Sequence, residues 1–161
     1  MFSGDRVVSL LRDAGITHVV TVPDSTLGQW EGAIERSELT LIRVCREGEA
    51  WAVAAGLYLG GAVPLVMIQC TGLFESGDAL RNVLHDWGLP IPSIIGYRSY
   101  LNQESLPGDT CLVFTEPILR AWQIDYRLIT DAAQYPAMSR HLDDCRAAGR
   151  PGALLIAEGR A

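Results

Sequence analysis

The hydrophobic residues of this chain alternate between two patterns along its length. Short, nearly continuous apolar or β-branched runs, such as residues 63–68, are typical of strands buried on both faces of a sheet. Between these runs, apolar residues recur three or four positions apart, as amphipathic helices require. The runs predict six strands, at residues 17–22, 39–44, 63–68, 91–95, 126–129 and 152–157. Because strands and helices alternate, we expect an α/β fold: a doubly wound, mostly parallel sheet of about six strands with helices on both faces.

One predicted helix, residues 46–60, has unusually small side chains. Its apolar residues at helical spacing are Ala50, Val53, Ala54 and Leu57. Most of its side chains add almost no bulk: Ala50, Ala52, Ala54, Ala55 and Gly56. A second backbone or a flat ligand could therefore approach this helix closely. Glu47 lies on its first turn, directly after a predicted strand, where open α/β sheets bind ligands. Position alone also allows a simpler interpretation, in which Glu47 and Glu49 are first-turn acids that stabilise the helix N-terminus.

Three further loops should meet at the same edge of the sheet, because each follows a predicted strand. They contain Pro23-Asp24-Ser25, residues 69–78 and Gly96-Tyr97-Arg98. Each also has a plain structural interpretation. The first could be an Asx-type turn with a helix cap, the second a tight strand-to-helix turn, and the third a loop whose side chains pack on the rim. We expect residues 69–78 to form a loop and the next helix to begin after them. His85, at the far end of that helix, is expected to be structural.

Length and charge exclude several classes of function. The 161 residues fit one domain, and the net charge of −6 gives no basic footprint for nucleic acid or an anionic membrane. No segment is apolar over the length of a membrane span, and the N-terminus lacks the layout of a signal peptide, so we expect a cytoplasmic protein. The four cysteines form no Cys-x-x-Cys pair and share no ligand spacing with the three histidines, so we expect buried thiols and no metal site.

Three motifs together resemble a known enzyme family. Glu47 precedes a small-residue helix in which Ala-Ala-Gly ends nine positions later, at Gly56. Before it comes Val-Pro-Asp-Ser, ending at Ser25, and after it Gln-x-x-Gly-Leu, ending at Leu73. In this order they resemble the pyrimidine-binding domain of thiamine-diphosphate (ThDP) enzymes, and within that family the sulfopyruvate and phosphonopyruvate decarboxylases. The resemblance is strongest over residues 22–82, but residues 74–78 lack the second glycine and the asparagine that those decarboxylases often carry there.

The resemblance implies roles for particular residues. Glu47 would be catalytic and cofactor-binding, because in the family the carboxyl group at this place hydrogen-bonds the aminopyrimidine ring; Glu49 is two residues out of register. The Ala/Gly-rich helix behind Glu47 would let the structure pack closely around it. The other implied roles are cofactor contact for Pro23, Thr71, Gly72 and Leu73, and substrate contact for Asp24, Ser25 and Arg98.

The motif that anchors the diphosphate in this family is missing. That motif is Gly-Asp-Gly with an asparagine downstream, whereas Asp78 and Asp109 each follow a glycine but are followed by Ala79 and Thr110. The resemblance therefore implies a single pyrimidine-binding domain over residues 1–161, with the diphosphate and Mg²⁺ held by a separate β-subunit. It also implies a homodimer through the Glu47 helix, and an α₂β₂ or larger assembly with the partner.

The function implied is that of the α-subunit of a ThDP-dependent 2-oxo acid decarboxylase, active only with its partner. A sulfopyruvate- or phosphonopyruvate-type substrate would give an aldehyde and CO₂. Two alternatives stay open: one half of an acetolactate-synthase-like carboligase, and a non-catalytic module that scaffolds or regulates a partner. The presence of Glu47 argues against the scaffold, which has no need of an acid there. The sequence leaves the 2-oxo acid itself open, because the resemblance implies a pocket that is shared between subunits.

Overall fold

A six-stranded sheet forms the centre of the structure, a computed structural model in which residues 2–159 are described. All neighbouring strands are parallel, and their order across the sheet is β2-β1-β3-β4-β6-β5. The expected doubly wound α/β fold is therefore confirmed. The strands are β1 (His18–Thr21), β2 (Thr40–Arg43), β3 (Pro64–Gln69), β4 (Ser93–Tyr97), β5 (Asp125–Ile129) and β6 (Gly152–Ala157).

Helices cover both faces of the sheet and enclose a separate apolar core on each side. α1 (Gly4–Asp13), α2 (Glu31–Glu35) and α6 (Tyr135–Ala147) pack on one face. α3 (Glu47–Leu59), α4 (Cys70–Arg81) and α5 (Thr110–Ala121) pack on the other. Shorter helical turns are Leu27–Trp30, Asn82–Asp86, Tyr100–Asn102 and Ala132–Gln134. None of the helices within residues 2–159 has the length and apolar character needed to cross a membrane.

The central strands are more deeply buried than the edge strand β2, which explains why apolar runs in the sequence marked the central strands. β4 and β6 are buried at every position, and β3 at all but its last residue. β2 lies at one edge and has no fully buried residue. Central strands of a parallel sheet touch helices on both faces, so a continuous apolar run is the pattern that buries them.

The strand order reverses between β1 and β3, because β1 connects to β2 on one side while the chain returns to β3 on the other. In open α/β sheets, ligands bind outside the carboxyl ends of the strands at such a reversal. The two strands are joined there by a buried hydrogen bond, in which Thr21 Oγ1 donates to the Met67 carbonyl at 2.7 Å. The segments that follow β1 and β3 are therefore placed beside the expected ligand crevice.

The expectation of a loop over residues 69–78 was wrong. α4 begins at Cys70, directly after β3, and continues through a kink at Gly77, whose φ is 36° and ψ −116°. Glycines at positions 72 and 77 lower the intrinsic helix preference of this segment, so its composition indicates a loop. Packing decides otherwise, because Leu73 and Leu80 lie on one side of the helix and are fully buried.

Candidate functional site

Glu47 and Gly72 face each other across the contact between α3 and α4. Glu47 is the first residue of α3, and Gly72 is the third residue of α4. A Cβ atom added to Gly72 would lie 2.6 Å from Glu47 Oε1 and 2.8 Å from Glu47 Cδ, closer than real contacts allow. Any side chain at position 72 would therefore displace the Glu47 carboxyl group from this place.

Glu75 from α4 caps the helix that carries Glu47. The residue before α3, Arg46, provides no side-chain cap. Instead, Glu75 Oε2 accepts a hydrogen bond from the Gly48 amide at 2.8 Å, and Glu75 Oε1 accepts from Arg46 Nε at 2.8 Å and Nη2 at 2.6 Å. These bonds, first that from Gly48 and then those from Arg46, lower the pKa of the Glu75 carboxyl below its usual value. The donors at the start of α3 are thus satisfied from the neighbouring helix.

A buried chain of hydrogen bonds connects the same two helices below Gly72. Trp51 Nε1 donates to Ser76 Oγ at 2.9 Å, and Ser76 Oγ donates to the Gly72 carbonyl at 2.6 Å. Glu75 and Ser76 both lie in the segment that departs from the resembled family. In this protein, those two residues hold Glu47 and Gly72 against each other.

The two acids on the first turn of α3 have different contacts. Glu49 Oε2 accepts a hydrogen bond from the Cys45 amide at 3.1 Å, so Glu49 reaches back to the chain entering its own helix. Glu47 instead lies against Gly72. The interpretation of both residues as simple first-turn acids describes Glu49, but it does not account for the space that Gly72 leaves around Glu47.

Asp24 forms the expected turn with only one of its two oxygens. Its Oδ1 accepts hydrogen bonds from the amides of Thr26 at 2.6 Å and Leu27 at 2.8 Å. Its Oδ2 is buried and has no hydrogen-bond partner within the described residues. The neighbouring Pro23 and Ser25 are exposed at the same edge. The turn therefore explains the position of the Asp24 side chain but leaves one buried oxygen unexplained.

Glu158 is a residue of this edge that the sequence analysis missed. It follows β6 directly and is 2% exposed. Its side chain crosses β4 at Gly96, where an added Cβ would lie 2.9 Å from Glu158 Cδ. Its Oε2 lies 3.5 Å from Gln69 Nε2, whereas Oε1 is buried without a partner among residues 2–159. The available signal was an acidic residue immediately after a fully apolar strand.

Burial and nearby charge change the protonation of Glu158. Burial, which disfavours the charged form, and then the negative charge of Asp24 raise the pKa of the Glu158 carboxyl to about 7. Hydrogen bonds from Thr26 and Gln69 and the positive charge of Arg98 act in the opposite direction. Two carboxyl groups and one guanidinium, from the segments after β1, β4 and β6, therefore influence one another at this edge.

Arg98 and the two Gly-Asp segments already have protein partners. Arg98 Nε lies 4.0 Å from Asp109 Oδ2, and its side chain is partly exposed. Asp109 also accepts hydrogen bonds from Ser99 Oγ at 2.6 Å and the Cys111 amide at 2.9 Å, so it caps α5. Asp78 pairs with Arg81 at 2.7 Å. Both aspartates thus have local structural roles.

Thr71 and Leu73 occupy different environments. Thr71 is exposed, and its hydroxyl donates to Gln69 Oε1 at 3.2 Å. Leu73 is fully buried in the core on the α3–α4 face of the sheet. Thr71 is therefore accessible at the sheet edge, whereas the cofactor contact expected for Leu73 stays a prediction.

The cysteines and histidines also include one combination that the sequence analysis overlooked. Three cysteines are buried as expected, but Cys45 is exposed. His141 and Cys145 are four residues apart on α6, and their side chains group with Asp125 so that possible ligand atoms lie within 4.8 Å of one another. Arg150 Nη1 pairs with Asp125 Oδ2 at 2.9 Å, so a guanidinium already neutralises this carboxylate.

Sequence comparison relates the chain to decarboxylases, although no protein-family model matches it. It is 26% identical over 145 residues to the sulfopyruvate decarboxylase subunit alpha of Methanococcus maripaludis, covering 83% of this chain and 87% of that one. It is 24% identical over 153 residues to the sulfopyruvate decarboxylase of Methanosarcina acetivorans, covering 94% of this chain and 39% of the relative. It is 28% identical over 150 residues to the phosphonopyruvate decarboxylase of Streptomyces hygroscopicus, covering 92% and 37%.

A comparison of structures agrees with the fold. Benzoylformate decarboxylase from Polynucleobacter necessarius superposes with a TM-score of 0.72 at 19% sequence identity, over 96% of this chain and 29% of that chain. At this identity the likeness concerns the fold alone. The resemblance to sulfopyruvate and phosphonopyruvate decarboxylases is confirmed by the sequence relatives. This chain spans less than half the length of the longer ones, but nearly the whole of the subunit alpha.

Proposed function

We propose that this chain, residues 1–161, is the pyrimidine-binding α-subunit of a two-subunit ThDP-dependent 2-oxo acid decarboxylase. The observation that carries the proposal is the placement of Glu47 against Gly72 at the start of α3. The similarity to decarboxylases supports it, and the match to nearly all of a subunit alpha favours a separate partner chain. We also propose a cytoplasmic location, which cell fractionation would test.

The residues of the site fit one part of this cofactor. An aminopyrimidine ring needs a carboxyl group at one ring nitrogen, and Glu47, which lies against Gly72 at the start of α3, offers one. We assign Pro23, Thr71 and Leu73 to the surroundings of the ring, with Leu73 acting from the core. When bound, ThDP supplies the electron sink that makes loss of CO₂ from a 2-oxo acid possible. The diphosphate and Mg²⁺ are assigned to the β-subunit.

The chain itself would hold the cofactor and orient the substrate. Glu47 would hydrogen-bond the pyrimidine ring and hold the proton exchanged there, and its position is fixed by the cap that Glu75 provides to α3. Asp24 and Ser25 orient the reacting part of the substrate. Arg98, partly exposed at the same edge, binds the second anionic group, a sulfonate or phosphonate, by a charge-assisted hydrogen bond.

The decisive experiment for this function compares two acids of the same turn. The chain is produced together with a candidate β-subunit, and CO₂ release is measured from sulfopyruvate, phosphonopyruvate and pyruvate. Glu47→Gln is expected to lower turnover at least ~100-fold, since general acid–base groups contribute roughly 10²–10⁴-fold. Glu49→Gln is the matched control and should retain most activity. A fully active Glu47→Gln enzyme would contradict the proposal, and acetolactate formed from pyruvate would favour the carboligase.

We further propose that α3 forms the homodimer contact and that the partner completes an α₂β₂ or larger assembly. Ala52, Gly56 and Leu59 on the outer face of α3 line an apolar groove together with Trp87. Leu59 is 61% exposed and Trp87 62% exposed, which is unusual for such large apolar side chains. Ala54, by contrast, is completely buried within the chain, so its replacement would test folding and not association.

Light scattering on the purified chain tests the dimer. The unmodified chain should be dimeric at tens of micromolar, and Gly56→Leu should be monomeric, because a larger side chain would separate the two helices. An added Cβ at Gly56 meets no atom within 4 Å, so the variant is expected to fold normally. An unmodified chain that is monomeric at this concentration would refute the contact.

A further inference from the structure

Two buried carboxyl oxygens at the carboxyl edge of the sheet have no hydrogen-bond partner, and they belong to groups that influence each other. Within residues 2–159, the buried side-chain oxygens or nitrogens without a partner are Asp24 Oδ2 and Glu158 Oε1. The negative charge of Asp24 is among the causes that raise the pKa of Glu158. Leaving such atoms unpaired costs stability, so a native protein that buries two of them in groups that influence each other needs a reason.

The fold provides a defined place for the Glu158 carboxyl group. It lies over β4 where Gly96 has no side chain, and almost any other residue there would displace it. Thr26, in the segment after β1, and Gln69, the last residue of β3, hydrogen-bond it. The charged groups that face it are Asp24 and Arg98. Residues in or after three other strands, β1, β3 and β4, thus converge on one buried acid that follows β6.

The proposed reaction needs a group of this kind. Decarboxylation of a 2-oxo acid breaks the bond between the carbonyl carbon and the carboxylate, and the electron pair of that bond stays on the carbon. An aldehyde forms only when this carbon receives a proton, so each turnover consumes one proton. A buried acid that still holds its proton near neutral pH is suited to supply it, because catalytic groups work best when their pKa lies near the working pH.

We propose that Glu158 and Asp24 form a pair of carboxyl groups that holds one proton, and that Glu158 supplies this proton to the substrate carbon through Asp24. The inference rests on the proposed function for its substrate, but the shared proton is a property of the chain alone. Asp24 is the member of the pair that touches substrate, and Glu158 is a positioning residue that acts through Asp24 by holding the proton to be passed on. After each turnover, the pair regains its proton from solvent.

The shared proton is tested first on the isolated chain, without cofactor. In ¹³C NMR of protein labelled at the glutamate side-chain carboxyl carbon, one carboxyl should titrate near pH 7, and its signal should disappear in Glu158→Gln. In Asp24→Asn the same carboxyl should titrate at lower pH, because the like charge that favours its protonated form is gone. Glu35→Gln, at the exposed ion pair that the last residue of α2 forms with Arg43, is the matched control and should leave this titration unchanged.

Two results would overturn the pair. One is a Glu158 carboxyl that titrates near its ordinary value of about 4.3. The other is a titration near pH 7 that Asp24→Asn leaves unchanged. Either result stands whether or not the protein proves to be a decarboxylase, so failure of the pair and failure of the proposed function are separate outcomes.

The role in proton supply is tested on the complex with the β-subunit. Turnover should fall as pH rises through about 7 in the unmodified enzyme, because the proton is lost. Glu158→Gln should lower turnover about 10-fold or more at pH 6.5 and remove this fall, whereas Glu35→Gln should keep the unmodified profile. A merely structural Glu158 would lower turnover equally at all pH values, and that outcome would refute proton supply by the pair.

Discussion

Glu47 and Glu158 are two carboxyl groups at the same side of the sheet, yet their surroundings differ in kind. Around Glu47, the neighbouring groups are satisfied: Glu75 caps the helix, and Trp51 and Ser76 join the two helices by hydrogen bonds. Around Glu158, one carboxyl oxygen is buried without a partner in the described chain, and the negative charge of Asp24 disfavours the charged form of Glu158. The first arrangement fixes a position, whereas the second destabilises a charge. We therefore expect Glu47 to provide a carboxyl group in a fixed position and Glu158 to provide a proton that can be transferred.

The largest stability effect is expected at Glu158. Its folded pKa of about 7 lies above that of the unfolded chain, so the folded state binds more protons between about pH 4.5 and 7, and stability falls as pH rises through that window. Glu158→Gln removes this fall. Urea unfolding at pH 8 should show the variant to be more stable by at most about 3 kcal/mol, and by much less at pH 5. A variant less stable than the unmodified protein at pH 8 would show that the ionised carboxylate has a favourable partner.

The next effect concerns the space between Glu47 and α4. Gly72→Ala places a methyl group against the Glu47 side chain, and overpacking of this kind costs about 1–3 kcal/mol. Thermal unfolding at pH 7 measures the change. Gly32→Ala is the matched control, because Gly32 also lies inside a helix, α2, and a Cβ added there meets only the end of the Arg36 side chain, at 3.4 Å. The control should be neutral or stabilising by up to about 1 kcal/mol. Equal behaviour of the two variants would mean that Glu47 is free to move away from Gly72.

The smallest effect is expected at Glu75, whose contribution to stability depends on pH in the opposite direction to that of Glu158. Hydrogen bonds lower the pKa of Glu75 in the folded state, so Glu75 stabilises the protein above its unfolded pKa and loses that contribution as pH falls through its folded value. Glu75→Gln should cost about 1 kcal/mol at pH 7, as loss of a helix cap does. In urea unfolding, the difference from the unmodified protein should shrink toward pH 3. A difference that is constant from pH 7 to pH 3 would indicate that shape, and not charge, forms the cap.

The fold was predictable because its central strands carry a local signal. β6 has the bounds that its apolar run predicts, residues 152–157, and burial on both faces explains that run. α4 was missed because its first half contains glycine where a side chain would collide with Glu47. That requirement comes from another helix and leaves no periodic pattern in residues 70–78.

The candidate site was predictable only in part. The position of Glu47 at the head of a small-residue helix followed from local sequence, and the structure places it against Gly72. Glu158 could not be identified in that way, because what distinguishes it is burial over Gly96, 62 positions earlier, and the charge of Asp24. Single residues brought together from distant strands have no spacing that a sequence pattern could reveal.

The cap that Glu75 gives to α3 has a consequence for how the protein folds. Because α3 has no side-chain cap of its own, its first turn is completed only when α4 has docked. Forming the first turn of a helix is the unfavourable step, so this part of α3 gains its stability late and from tertiary structure. The amides of Gly48 and its neighbours should therefore exchange with solvent together with those of α4, as one cooperative unit that opens and closes as a whole.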